Sequence, residues 1–196
     1  MCEKSRTPDG DRQSDGWGVA WKEGNTWKTE KSLVPIWENT DRLLKIHQTY
    51  CLAVHVRSAG FDHQKGVIEY NQPYIKDGLC FVFNGMVRGV KLPYKLNGTI
   101  GAQKIFSFIQ LLRKRQTLPK ALDTARLMLL SHSREIEGMN IGIVHNNQFY
   151  ILCEYDGNQE YFTIHYYQKD NLSIVCSEPI LAYNWNNMRK GEILIL

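Results

Sequence analysis

No stretch of this chain approaches the roughly 18 consecutive apolar residues that a membrane-spanning helix needs. No apolar segment follows Met1-Cys2-Glu3-Lys4-Ser5-Arg6 as it would in a secretory signal. Both absences make the cytoplasm the expected compartment. A C-x-x-C pair is also missing: the five cysteines stand apart at 2, 51, 80, 153 and 176. Cys51, Cys80, Cys153 and Cys176 lie inside apolar β-like runs, where a thiol behaves as a small buried hydrophobe, so neither a disulfide framework nor a zinc cluster is expected. His47, Cys51 and His55 are close in sequence, but a helix-to-strand change between them breaks any regular ligand spacing. No metal and no cofactor are expected. Finally, no patch gathers the basic surplus. The net charge is +4, yet the densest run, Arg113-Lys114-Arg115, falls at the end of a predicted helix, where cations complement the helix dipole. Neither a nucleic acid nor a membrane is the expected partner.

What the chain does have is the composition of a globular domain. Its 196 residues are 43% hydrophobic and 22% charged, enough to build one core without covalent staples. A single domain over 1–196 is expected, with no internal repeat and no linker. Residues 16–21 and 26–30 flank Gly24-Asn25 and read as a hairpin. A short helix is predicted over 40–48, a buried strand over 51–57, loop over 61–71, and a second buried strand over 79–83, stopped by Asn84-Gly85. Ile105, Phe106, Ile109 and Leu112 recur at helical spacing over 101–115. A second helix opens with Pro119 in its first turn and carries Leu122, Ala125 and Leu129 inward. Strands follow over 140–145, 149–154, 161–167, 172–176 and 192–196. Strands, two central helices and then antiparallel strands imply an α+β fold, with Leu52, Val54, Val56, Phe81, Phe83, Ile141 and Ile143 buried.

Three segments concentrate residues that could do chemistry. They are Ser14-Asp15-Gly16-Trp17-Gly18-Val19-Ala20, then His55-Val56-Arg57-Ser58-Ala59-Gly60, then Asn71-Gln72-Pro73 followed by Phe83-Asn84-Gly85-Met86-Val87. Taken alone, Arg57 favours a structural ion pair, and Asn84-Gly85 reads as a type I′ hairpin turn. Trp17 reads first as a core aromatic. Asn140 before a strand, and Ser177-Glu178-Pro179 ahead of Gly191-Glu192-Ile193-Leu194-Ile195, complete a series over residues 14–196. In order and approximate spacing the series resembles the class II glutamine amidotransferases, particularly their small stand-alone members.

The resemblance implies an N-terminal-nucleophile sandwich of mainly antiparallel sheets with flanking helices. It implies hydrolysis of the side-chain amide of glutamine, or of a γ-glutamyl amide, by an N-terminal cysteine. On this reading Cys2 is the nucleophile, with its own α-amino group as base. Asn84 and Gly85 supply oxyanion donors, and Arg57 takes the substrate's α-carboxylate in the same pocket, lined also by Ser58 and Ala59. Asp15, Gly16, Trp17 and Asn71 shape the site, Asp15 by capping nearby N–H groups. The partner is a small molecule, and a homodimer is compatible with the sequence.

Two positions depart from the pattern. The stretch Gly98-Thr99-Ile100-Gly101-Ala102-Gln103 carries no carboxylate where the resemblance implies one for the substrate's amino group. The nucleophile should open a buried strand, yet residues 3–13 hold no apolar residue except Pro8, in the turn-like Pro8-Asp9-Gly10. The expectation is a first catalytic strand that is missing or shortened. The alternative function is a catalytically inactive small-molecule-binding relative that retains Arg57 and Asn84-Gly85.

Overall fold

The computed structural model describes residue 10 and residues 12–196, apart from 47 and 180. Two compact units form, Met1–Val82 with His145–Asn147, and Phe83–Val144 with Gln148–Leu196. Among the described residues no helix is long and apolar enough to cross a membrane.

In the first unit, β1 (Trp17–Glu23) turns through Gly24-Asn25 into β2 (Thr26–Ser32), and α1 (Thr40–Leu43) is a single turn. β3 (Leu52–Val56) pairs antiparallel with β1, giving the sheet order β2-β1-β3. The register sets Trp17 opposite Val56, Val19 opposite Val54 and Trp21 opposite Leu52, so these six share one face. Trp17, Val19 and Ile36 form its core, with Trp37, Leu43, Ile46 and Val56 packed around them. That cover stops short of the outer half of β3. Leu52 and Val54, expected in the core, are 48% and 47% exposed, because β3 lies at the margin of its sheet. β4 (Tyr74–Lys76), which the sequence did not suggest, pairs with the opening of β5 (Leu79–Arg88). Asp77 and Gly78, with φ of 52° and 75°, make the two-residue turn between them.

β5 does not stop at Asn84-Gly85. It runs on to Arg88, so this dipeptide sits in mid-strand rather than in a turn. The reason is close backbone packing: a Cβ on residue 85 would stand 2.0 Å from the carbonyl oxygen of Gly138 on the neighbouring β6 (Glu135–His145).

The rest of β5 belongs to the second unit, where strands are ordered β11-β7-β6-β5. α2 (Gly101–Arg113) and α3 (Leu118–His132) pack on one another, burying Ile105, Phe106, Ile109, Leu122, Ala125 and Leu129. β7 (Gln148–Cys153) and β11 (Glu192–Ile195) are antiparallel neighbours. Between them come α4 (Gln159–Phe162), β8 (His165–Lys169), β9 (Leu172–Cys176) and β10 (Asn186–Asn187), the last three forming a separate sheet ordered β10-β8-β9. Residues 159–162 are a helical turn rather than the start of the strand expected over 161–167. Asn158 Oδ1 accepts the Tyr161 N–H at 3.0 Å and caps that turn. Phe81, Phe83, Ile141 and Ile143 are buried, as are Cys51, Cys80 and Cys153, all free thiols.

One ion pair underlies the second unit. Glu154, 1% exposed, faces Arg126 of α3 at 3.1 Å and also accepts from the Tyr155 N–H. Removing one partner of a buried pair strands the other's charge. Arg126→Ala is expected to cost about 3 kcal/mol, read as a lower urea midpoint at neutral pH. Adding Glu154→Gln should recover part of that loss. A midpoint unmoved by the single substitution would show that solvent already satisfies Glu154.

Candidate active site

Arg57 follows the last residue of β3, and the ladder continues one step past the strand to reach it. Its N–H donates to the Gly16 carbonyl, and the Asp15 N–H donates to the Arg57 carbonyl, both at 2.9 Å. The chain therefore leaves β3 zipped to the start of β1. Asp15 extends that contact by its side chain, Oδ2 accepting the Ala59 N–H at 2.7 Å. This uses the Ala59 donor internally and fixes the half-buried Ser58 between two tied neighbours.

The Arg57 side chain is 5% exposed. Nη2 donates to the Gln64 carbonyl at 3.0 Å, and the guanidinium carbon lies 5.8 Å from the centre of the Tyr70 ring. Nη1 is buried and has no hydrogen-bond partner among the described residues. Burial lowers the Arg57 pKa, and Tyr74, Asp15 and Tyr70 act in the opposite direction. The group stays a cation, since an arginine begins far above neutrality. A desolvated cation with one unused donor edge is a ready acceptor of a carboxylate. Because Nη1 is sealed from water, an anion reaches it only when the surrounding chain gives way.

Asn71 holds the floor of this region. It is fully buried, and Nδ2 donates to the Ser32 carbonyl at 2.7 Å and more weakly to that of Trp17 at 3.4 Å. The Asn71 backbone carbonyl accepts from Lys31 Nζ, and the Lys31 ammonium lies 5.2 Å from the Tyr74 ring centre. Burial lowers the Lys31 pKa, opposed by Glu69 and Cys80. The Cys80 thiol is pushed up to about 12, chiefly by burial. Such a thiol is inert at neutral pH. Gly16 and Gly18 explain how the Asn71-Gln72-Pro73 segment, with its cis Gln72–Pro73 bond, comes so close. A Cβ on residue 16 would stand 2.5 Å from Asn71 Nδ2, and one on residue 18 only 2.0 Å from the Gln72 carbonyl oxygen.

Trp17 is fully buried at the heart of the β1 core, with the Arg42 guanidinium carbon 5.7 Å from its ring centre. The structure thus brings Asp15, Gly16, Trp17, Arg57, Ser58, Ala59 and Asn71 together in the first unit. Asn84 and Gly85 belong to the second, with Asn84 half-buried in mid-strand. Cys2 lies outside the described residues. The first turn of α2 carries no acid, and Gln103 Oε1 instead accepts the Thr99 N–H at 2.8 Å. Sequence reasoning missed Gln64, Tyr70, Tyr74 and Lys31. The tyrosines bracket Asn71-Gln72-Pro73, and that adjacency was the available signal.

No family model matches this sequence, and no match is found among curated proteins. Solved structures do match. A glutamine aminotransferase class-II domain protein from Silicibacter pomeroyi superposes with a TM-score of 0.69 at 17% identity, covering 91% of this chain and 86% of that one. A predicted glutamine amidotransferase from Pseudomonas aeruginosa gives 0.62 at 16% identity, covering 92% and 84%. Glutamine phosphoribosylpyrophosphate amidotransferase from B. subtilis gives 0.64 at 16% identity, covering 93% of this chain but 41% of that longer one. The chain therefore has the α+β, N-terminal-nucleophile type of fold found in class II glutamine amidotransferase domains.

The glycine contacts carry a direct test. Gly18→Ala should destabilise the protein by about 1–3 kcal/mol, the usual range for overpacking, because the atom in its way is backbone. Gly101→Ala, whose Cβ would meet nothing within 4 Å, is the control and should be neutral or slightly stabilising. Equal unfolding midpoints for the two variants would refute the close approach of Gln72 to β1.

Proposed function

We propose that this protein is a glutamine amidotransferase-like amide hydrolase working in the cytoplasm on glutamine or a γ-glutamyl amide. The observation that carries the reading is Arg57, buried, charged and left with one donor nitrogen unused. A substrate α-carboxylate would supply the missing acceptor. The fold shared with class II glutamine amidotransferase domains supports the same chemistry by analogy.

In the proposed reaction the Cys2 sulfur attacks the side-chain amide carbon, and its proton passes to the free α-amino group of the same residue. The tetrahedral oxyanion is stabilised by the Asn84 side-chain amide and the Gly85 N–H. Collapse breaks the C–N bond, the ammonium form of Cys2 returns the proton, and ammonia leaves a thioester. Water then cleaves the thioester, giving the free carboxylate and the thiol. Arg57 acts throughout as the anchor that holds the substrate. Removal of Met1 is required, because the base must be a terminal amine with a pKa near ~8.

The second reading is a binding protein that holds the same ligand through Arg57 without turnover. It is favoured by the polar character of residues 3–13, which lacks the apolar pattern of a buried catalytic strand. Ammonia release from L-glutamine separates the two, with Met1 removal confirmed by mass spectrometry. The hydrolase reading expects activity that Cys2→Ala abolishes. Arg57→Ala should raise KM about 10- to 100-fold, the equivalent of losing a charge-assisted hydrogen bond. Asn84→Ala should lower kcat by roughly 100-fold with KM little changed. Glutamine binding with no ammonia from the processed protein would establish the binding reading instead.

A further inference from the structure

Two tyrosines outside the sequence motifs bear on the Arg57 guanidinium, Tyr70 by its ring and Tyr74 through its bond to Tyr70. Tyr70 closes a one-turn 3-10 helix (Ile68–Tyr70), where its N–H donates to the Val67 carbonyl at 3.1 Å. The next residue is Asn71, whose buried side chain ties the chain to β1 and β2. Tyr74 completes the bracket from β4, its hydroxyl donating to the Tyr70 carbonyl at 2.8 Å. The Tyr70 backbone is thus held on both sides, and its ring is offered to the guanidinium at 5.8 Å. On another side Nη2 is fixed by the Gln64 carbonyl, while Nη1 remains the unused edge.

We propose that Tyr70 is a positioning residue for Arg57, holding the guanidinium in place so that Nη1 is ready for a carboxylate once the surrounding chain gives way, with Tyr74 as the brace that holds Tyr70. The inference rests on the reading of Arg57 as the carboxylate anchor and goes beyond it by naming what orients the anchor. The physical case has three parts. An arginine side chain has several rotatable bonds, and a site that leaves them free loses affinity in ordering them at binding. A ring face attracts the cation without occupying an N–H, so it orients the group and spares the edge a ligand needs. The ring also excludes water from one side, which strengthens the attraction between the cation and an incoming anion. Tyr74 suits the role of brace because burial pushes its hydroxyl pKa far up, keeping it a neutral donor at every pH of interest.

The test measures L-glutamine binding by calorimetry on the full chain carrying Cys2→Ala, so that turnover does not intrude. Tyr70→Leu should weaken binding about fivefold or more, the range expected for a desolvated cation–ring contact. Tyr70→Phe keeps the ring and should stay within about twofold of the parent. Tyr74→Phe removes only the bracing hydroxyl and should fall between them, and it serves if Tyr70→Leu does not fold. Arg57→Ala must weaken binding more than any of these. If it does so while Tyr70→Leu and Tyr74→Phe leave affinity unchanged, the positioning role is wrong and the anchor stands. If Tyr70→Phe loses as much as Tyr70→Leu, the hydroxyl matters rather than the ring, and the proposal again fails. If L-glutamine does not bind, or binds equally after Arg57→Ala, the anchor reading falls and takes this inference with it.

Discussion

The Gln72 carbonyl oxygen stands 2.0 Å from where a side chain on residue 18 would begin, and the Ser32 carbonyl oxygen is 2.3 Å from the same point on residue 16. Only glycine at both positions lets the Asn71-Gln72-Pro73 backbone lie against β1. Once it lies there, Asn71 can reach the Ser32 and Trp17 carbonyls, Tyr70 is delivered to Arg57, and β4 starts in register with β5. Asp15 performs the matching task at the other end, tying Ala59 and so fixing the chain as it leaves β3. The arginine is therefore oriented by backbone packing that begins at two hydrogen atoms, one on each glycine.

The second unit uses the same device. Gly85 lets β5 approach the carbonyl of Gly138, and Gly138 in turn admits the Phe162 ring, whose edge would lie 2.3 Å from a Cβ there. Asn140 then bridges two elements, donating to the Phe162 carbonyl and accepting the Glu154 N–H at 3.0 Å. The buried Glu154 carboxyl is met by the half-buried Arg126 guanidinium and by the Tyr155 N–H. Asn84 inherits its position from this arrangement, since the strand that carries it is set by the glycine beside it.

Periodic segments were legible in the sequence. The helix now seen as α2 was signalled by Ile105, Phe106 and Ile109, and β9 matched its apolar run at both ends. Turn chemistry was read less well. Two dipeptides, Asp77-Gly78 and Asn84-Gly85, carry the same hairpin signal, and only the first makes a hairpin. Local propensity cannot separate them, because Gly85 is required by the close approach of Gly138, on a strand distant in sequence, as well as by its own φ of 154°. Leu52 and Val54 failed for a related reason. Alternation says that they face the same side as Trp17 and Val19, but not whether anything covers the margin of that side. The Tyr70–Arg57 contact was invisible because cation–ring pairs have no sequence spacing.

On the proposed function, Arg57 is where stability and function part company. A buried guanidinium that served the fold alone would be expected to face a carboxylate, as the half-buried Arg126 faces Glu154. A carboxylate is close at hand, yet Asp15 turns its Oδ2 to the Ala59 N–H, and the guanidinium makes its hydrogen bond to a neutral carbonyl. The result is a cation whose desolvation is only partly offset, by Gln64, by the Tyr70 ring and by longer-range attraction to Asp15. Had Asp15 paired with Arg57 directly, the structure would be more self-sufficient, and no edge would be left for an outside anion. Keeping the acid one step away, spent on the loop's own backbone, leaves Nη1 unpaired, which is what the proposed carboxylate anchor requires.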